Sequence, residues 1–203
     1  MNSLEIEKGV KHIYTNDLRL AKIIDLSGKC ELKPKKDYYH AILRAITGQQ
    51  LSIFVAQKIF FRFVNFFEGD ISPQNIISAK DKDLRNIGLS WAKIKYVKDF
   101  SAKIISKEIS LYGINKMSDE EIIKMLTKVK GIGVWTVQML LIFTLGRLNI
   151  LPLGDLALRR AAKNIYELKK FPNEKKLFSL SKENNWSPYN SIASWYLWKS
   201  LEL

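Results

Sequence analysis

Two short stretches carry residue types and spacings that can do chemistry. The first is K-G-I-G-V-W-T at residues 130–136. Gly131 and Gly133 flank a single residue where a helix reads as starting. Glycine reaches positive φ and puts no side chain between the backbone and a ligand. The first N–H groups of a helix lack internal partners, and with the helix dipole they favour an anion such as phosphate. Thr136 can add a hydroxyl. Carbonyls left at the end of the preceding helix can ligate a monovalent cation that bridges to the same phosphate. Such a hairpin grips backbone and positions nucleic acid without reading its bases. A tight turn between two helices, with no ligand at all, leaves the same G-x-G pattern. Trp135, two residues after Gly133, reads as core, wedge or binding surface.

The second stretch is L-P-L-G-D-L-A-L-R-R at residues 151–160. Asp155 follows Gly154 and precedes a helical run, so it can be an ordinary N-cap. Its neighbours Leu151, Pro152, Leu153, Leu156 and Leu158 also give it the apolar setting of a working carboxylate. A helix over residues 132–145 is about 20 Å long, and the loop at 146–154 can stretch to about 30 Å. The chain can therefore return and set Asp155 near Trp135.

The elements that must position these residues are helices. Apolar residues recur at helical spacing almost throughout and period-two alternation is nearly absent, which predicts an all-α chain of about ten helices. Residues 52–67, rich in Phe, read as a central core helix. Ser72-Pro73 and Ser187-Pro188 each place serine at an N-cap and proline at the first helical position. Ser118 to Glu121 form a capping box, followed by an apolar face of Ile122, Ile123, Leu126 and Val129. Linkers at 68–71, 111–117 and 146–154 are short, so no flexible interdomain tether is expected. Asn16 or Asp17 caps a helix running to about Leu26, and residues 33–37 read as a solvated turn. Residues 84–97 weakly echo 126–137: both are helix, glycine turn, helix. Lys93, Lys95 and Lys98 in the first copy do not share one helical face.

Composition narrows the partners. A chain of 203 residues, 47% hydrophobic with mean hydropathy −0.11, suits one compact domain or two small lobes. A net charge of +13 and a pI near 9.7 favour a polyanionic partner. The single cysteine, Cys30, excludes a disulfide framework, a cysteine zinc site and a cysteine-ligated cluster, and fits a reducing compartment. His12 and His40 lack metal-ligand spacing and read as packed or surface residues. The apolar run at 134–145 is too short to span a bilayer. The N-terminus has no apolar signal core. A cytoplasmic location, or a nuclear one in a eukaryote, is expected, with no membrane partner.

The run V-K-G-I-G-V-W-T-V-Q-M-L-L-I-F-T-L-G-R-L-N-I-L-P-L-G-D-L-A-L-R-R-A resembles the hairpin, Gly/Pro loop and aspartate signature of the HhH-GPD DNA glycosylase superfamily. It is most similar to the alkylpurine branch, of the 3-methyladenine DNA glycosylase II type. A-I-L-R-A-I-T-G-Q-Q-L-S at 41–52, the first glycine turn and W-S-P-Y-N-S-I-A-S-W-Y-L-W at 186–198 agree, so the likeness runs from about Tyr38 to the C-terminus. The resemblance implies a single two-lobed helical domain over residues 1–203. Its helix-hairpin-helix lies at about 119–145, its active site between the lobes, and the N-terminal β-domain of larger relatives is missing. It implies that Asp155 is the catalytic carboxylate and that Gly131, Gly133 and Thr136 contact phosphate. Main-chain oxygens of Thr127, Val129 and Ile132 would hold a sodium- or potassium-like ion. No cofactor is otherwise required.

The same resemblance gives Trp135 a meaning. Relatives that also cut the strand carry a lysine at this hairpin position, and here no lysine stands at 134–136, so a lyase step is not expected. The iron-sulfur cluster of the endonuclease III branch needs four cysteines. The implied reaction is hydrolysis of the N-glycosidic bond of alkylated purines such as 3-methyladenine and 7-methylguanine in double-stranded DNA, by a monomer. The base is flipped from the stack, and Trp135 first, then Trp198, would hold the cationic base by cation–π contact. Met139 stands in the implied base pocket where some relatives have tyrosine, Leu156 where some have another, and Asn190 where some have arginine. Gln49, Gln50 and Leu51 lie where relatives insert a wedge, and the resemblance does not choose among them. The competing reading is a non-catalytic helix-hairpin-helix module that binds DNA.

Overall fold

Side-chain caps set most of the helix starts. Asp17, Asp37, Ser52, Ser90, Ser118, Asp155 and Asn173 each accept a hydrogen bond from a backbone N–H in the first turn of the helix that follows. Each such cap contributes about 1 kcal/mol. The capping box is complete: Glu121 N–H donates to Ser118 Oγ at 3.2 Å and Ser118 N–H donates to Glu121 Oε2 at 2.7 Å.

The computed structural model describes residues 3–35 and 37–203. Among them are twelve α-helices: α1 Ser3–Asn16, α2 Leu18–Ser27, α3 Tyr38–Gly48, α4 Ile53–Phe66, α5 Pro73–Ser78, α6 Asp81–Asn86, α7 Trp91–Ile105, α8 Asp119–Leu126, α9 Val134–Leu140, α10 Leu156–Ile165, α11 Glu174–Glu183 and α12 Asn190–Lys199. No strand occurs among the described residues, and no helix is long and apolar enough to cross a membrane.

The chain forms two compact units, one of Asp37–Val137 and one of Met1–Lys36 with Gln138–Leu203. In the Asp37–Val137 unit, α7 packs on α3, α5 and α6, and α3 packs on α4. Ile42, Leu43, Ile46, Phe63, Ile94, Val97 and Phe100 make its centre. Tyr39 stacks on Phe100 with ring centroids 5.3 Å apart. In the other unit α12 is the hub, packing on α1, α2 and α10. Gly9 lets α1 approach it closely, because a Cβ there would lie 2.2 Å from Ile192 Cδ1.

Asp17 ties this unit together. It is buried, its Oδ1 accepts from Arg19 N and Leu20 N at 3.1 and 3.0 Å, and its Oδ2 accepts from Trp186 Nε1 at 2.7 Å and from the Tyr166 hydroxyl. Burial, then the Asp17 charge, pushes the Tyr166 phenol well above its ordinary range.

Four expectations need correction. The helix read at 52–67 is present as α4, but it is not central: Ile59 and Phe63 are buried, while Ile53, Phe54 and Phe61 are exposed. Ser187-Pro188 does not start a helix. Tyr189 N–H closes a turn onto Trp186 O at 2.7 Å, and α12 begins at Asn190. The helix expected to run to residue 145 is α-helical only to Leu140 and continues as a π turn, Leu141–Leu145. An entire helix, α1, precedes Asp17, in a region where the sequence pattern placed none.

Candidate functional site

The hairpin lies in the Asp37–Val137 unit. α8 ends at Leu126 with Thr127 as its C-cap, Ile132 N–H donates to Val129 O at 3.1 Å, and α9 begins at Val134. The turn is held from outside at two points. Asp99 Oδ2 on α7 accepts from Lys130 N at 2.9 Å, and Gln49 Nε2 donates to Gly131 O at 2.7 Å. Gln49 is therefore a brace for the hairpin. It follows α3, whose last turn is fixed in turn by Lys93 Nζ, which donates to Thr47 O at 2.8 Å. Burial lowers the Lys93 pKa. The other two wedge candidates, Gln50 and Leu51, are exposed on the tight turn before α4, where Gln50 takes the left-handed conformation at φ 58°.

The two glycines have different tasks. Gly131 has φ +78°, and a Cβ there would lie 2.2 Å from the Tyr96 ring on α7. Its missing side chain makes room for that ring. Gly133 is exposed, and nothing lies within 4 Å of where its Cβ would be. Its bare backbone opens to solvent beside exposed Val134 and Trp135, whereas Thr136 is buried. Gly131→Ala should therefore cost about 2 kcal/mol or more in stability, from strain and overpacking. Gly133→Ala should leave stability within about 0.5 kcal/mol while weakening DNA binding. Urea midpoints and anisotropy titrations on duplex DNA separate the two effects. A Gly133→Ala protein with unchanged DNA affinity would show that no phosphate sits over that residue.

The expected ion donors are all carbonyl oxygens, the hard donor type that suits sodium or potassium. The Val129 carbonyl already accepts from Ile132 N–H, and a carbonyl oxygen has a second lone pair.

Asp155 lies in the other unit. It caps α10 and is 7% exposed. Its Oδ1 accepts from Leu158 N at 2.6 Å and from Trp198 Nε1, on α12, at 3.0 Å. Two of the residues singled out from sequence, Asp155 and Trp198, are thus bonded to each other. The loop that delivers Asp155 is clamped by the start of α12. Ser191 Oγ donates to Arg147 O at 2.7 Å and accepts from Ile150 N at 3.0 Å. Asn190 Nδ2 donates to Asn149 Oδ1 at 2.6 Å. Asn190, which stands where some relatives carry arginine, is buried and serves this loop.

A third residue of this group escaped the sequence reading. Phe143 packs beside Trp198, ring centroids 5.6 Å apart and planes at 34°, and is 40% exposed. It sits on the π turn, which Gly146 closes in the left-handed conformation at φ 73°. Each π turn adds one residue to the helical repeat, so the ring that meets Trp198 is one that regular helical spacing did not single out. Met139, the expected pocket residue, lies half-buried on α9, and Leu156 is exposed.

Comparisons with known proteins bear on the fold and the family. The sequence pattern of the HhH-GPD superfamily base excision DNA repair proteins matches residues 43–186. DNA-3-methyladenine glycosylase 1 of Schizosaccharomyces pombe is 34% identical over 91% of this chain and 82% of its own length. The alkylbase DNA glycosidase-like protein of the same yeast is 32% identical over 96% of this chain and 93% of its own. The structure of the S. pombe 3-methyladenine DNA glycosylase in complex with abasic DNA superposes with a TM-score of 0.86 at 32% identity, covering 97% of each chain. The likeness extends over nearly the whole length of the chain, which belongs to the HhH-GPD superfamily of base excision DNA repair proteins.

Proposed function

We propose that the protein is a monofunctional DNA glycosylase that removes alkylated purines, among them 3-methyladenine and 7-methylguanine, from double-stranded DNA. The observation that carries this reading is Asp155: a buried carboxylate fixed through Oδ1 by a backbone N–H and the Trp198 indole, with Phe143 packed beside that same indole. A purine alkylated at N3 or N7 is cationic. The C1′–N bond breaks with its electron pair leaving on the base, which neutralises that charge, so little acid catalysis is needed. The Asp155 carboxylate stabilises the oxocarbenium-like sugar, orients the attacking water and takes its proton. Trp198 and Phe143 are the aromatic faces beside Asp155 for the cationic base, and Trp135 offers an exposed ring of its own on the hairpin. Trp135 also stands where strand-cutting relatives carry lysine, so the reaction ends at the abasic site.

The remaining roles follow the same reading. Gly133 presents backbone to phosphate, Gly131 and Gln49 hold the turn that does so, and Gln50 or Leu51 is the wedge. Carbonyls of Thr127, Val129 and Ile132 hold a sodium or potassium ion. The protein acts as a monomer, in the cytoplasm or nucleus where its DNA is. The test is chromatography of bases released from duplex DNA treated with a methylating agent. Free 3-methyladenine and 7-methylguanine are expected, with the strand unbroken and no covalent adduct trapped by borohydride. Binding to abasic DNA with no base released would favour the non-catalytic module instead.

A further inference from the structure

Residues 159–182 hold eight lysines and arginines against two glutamates. They form α10 beyond its first turn, the loop that follows it, and most of α11. In the Asp37–Val137 unit several lysines are spent on the protein itself: Lys93 on Thr47 O, Lys98 on Asp81, Lys103 on Glu108. Lys169, Lys170 and Lys175 differ. All three are exposed, and none of them takes part in an ion pair among the described residues.

Two half-exposed phenylalanines stand among these cations, and each has a cation over its ring. Arg159 lies 4.9 Å from the Phe171 centroid and Lys182 lies 4.6 Å from that of Phe178. A ring face already covered is a poor platform for stacking a base, but it fixes a cation in place. Arg159 Nε also donates to Pro172 O at 2.6 Å, which ties the loop to α10, the helix that Asp155 caps. Arg159 closes the first turn of α10 and the Glu174 carboxylate lies beside Gly154, so the end of the loop and the start of α11, where Lys175 stands, are held next to the aspartate that caps α10.

From this charge, its lack of internal partners and its rigid tie to the catalytic helix, we infer that Lys169, Lys170 and Lys175 form a second backbone-binding surface, which grips phosphates of duplex DNA flanking the lesion. The inference rests on the glycosylase reading for its partner. It adds a contact that fixes no base and no chemistry, and so serves residence on undamaged DNA.

The test compares wild type, a Lys169→Ala/Lys170→Ala/Lys175→Ala protein and an equal-charge control, Lys8→Ala/Lys11→Ala/Lys22→Ala, on an undamaged duplex across a salt series. The loop variant should bind at least about tenfold more weakly at low salt. Its plot of log affinity against log salt should be shallower by about 2 to 3, near 0.9 per lost phosphate. Base release at saturating protein should match wild type, and the control should keep the wild-type slope. Equal slopes for wild type and loop variant overturn the inference, as does an equal loss in the control, or a loss confined to single-stranded DNA. If wild type releases methylated bases while the slopes stay equal, the surface fails and the enzyme reading stands. If wild type releases none yet the loop variant loses slope, the reverse holds.

Discussion

Asp155→Asn should release 3-methyladenine from methylated duplex about 10²- to 10³-fold more slowly than wild type, the size of effect seen when one transition-state electrostatic contact is lost. The exchange is clean because Asp155 is also a helix cap. Asparagine caps as well as aspartate, and an amide oxygen can still accept from Leu158 N and Trp198 Nε1, the two donors on Oδ1. The melting temperature should therefore stay within a few degrees of wild type, and affinity for abasic DNA should persist. Asp155→Ala is the contrast: it removes the cap and strands both donors, at a cost of about 2–3 kcal/mol. Single-turnover release rates alongside thermal melts separate charge from cap. Wild-type release by the asparagine protein would sink the assigned chemistry.

Asp17 should dominate stability as Asp155 should dominate activity. Asp17→Ala removes the cap of α2 and leaves Trp186 Nε1 and the Tyr166 hydroxyl buried without their acceptor. The summed cost is about 3–5 kcal/mol, which for a chain of this size lowers the melting temperature by roughly 10 °C or more. Asp17→Asn keeps the shape and can keep the cap through its amide oxygen, but turns an NH2 group toward two donors, so it should recover only part of the loss. Urea and thermal melts of both variants give the comparison. A loss below about 1 kcal/mol for Asp17→Ala would show that water or a shifted neighbour replaces the carboxylate.

These two aspartates mark where the sequence was readable. The pattern of a polar residue before an apolar run offered Asp155 as a cap and left Asn16 or Asp17 for the other helix, and both aspartates are caps. What each carboxylate does beyond the cap depends on partners 43 to 169 residues away, Trp198 for Asp155 and Tyr166 and Trp186 for Asp17. No local pattern encodes that. The capping box at Ser118 was legible because both of its bonds are local. Ser187-Pro188 misled because a serine before proline signals a helix start only if the chain turns into the helix there, and here a turn intervenes. The superfamily resemblance implied a site of Asp155 with Trp135, Trp198 and Met139, and of these Trp198 is bonded to Asp155. It did not place Phe143, because a π turn breaks the spacing by which helix faces are read.

The bond from Gln49 to Gly131 O joins the turn before α4 to the hairpin, and Lys93 and Asp99, both on α7, fasten the same two loops from behind. Loops that meet DNA usually lose conformational freedom on contact, and affinity suffers by that amount. On the proposed reading these two loops surrender that freedom once, during folding, and not at each landing. A protein that inspects long stretches of sound duplex makes many unproductive encounters for every productive one. A stiff fingertip suits such a searcher, since each touch can be short and still be read.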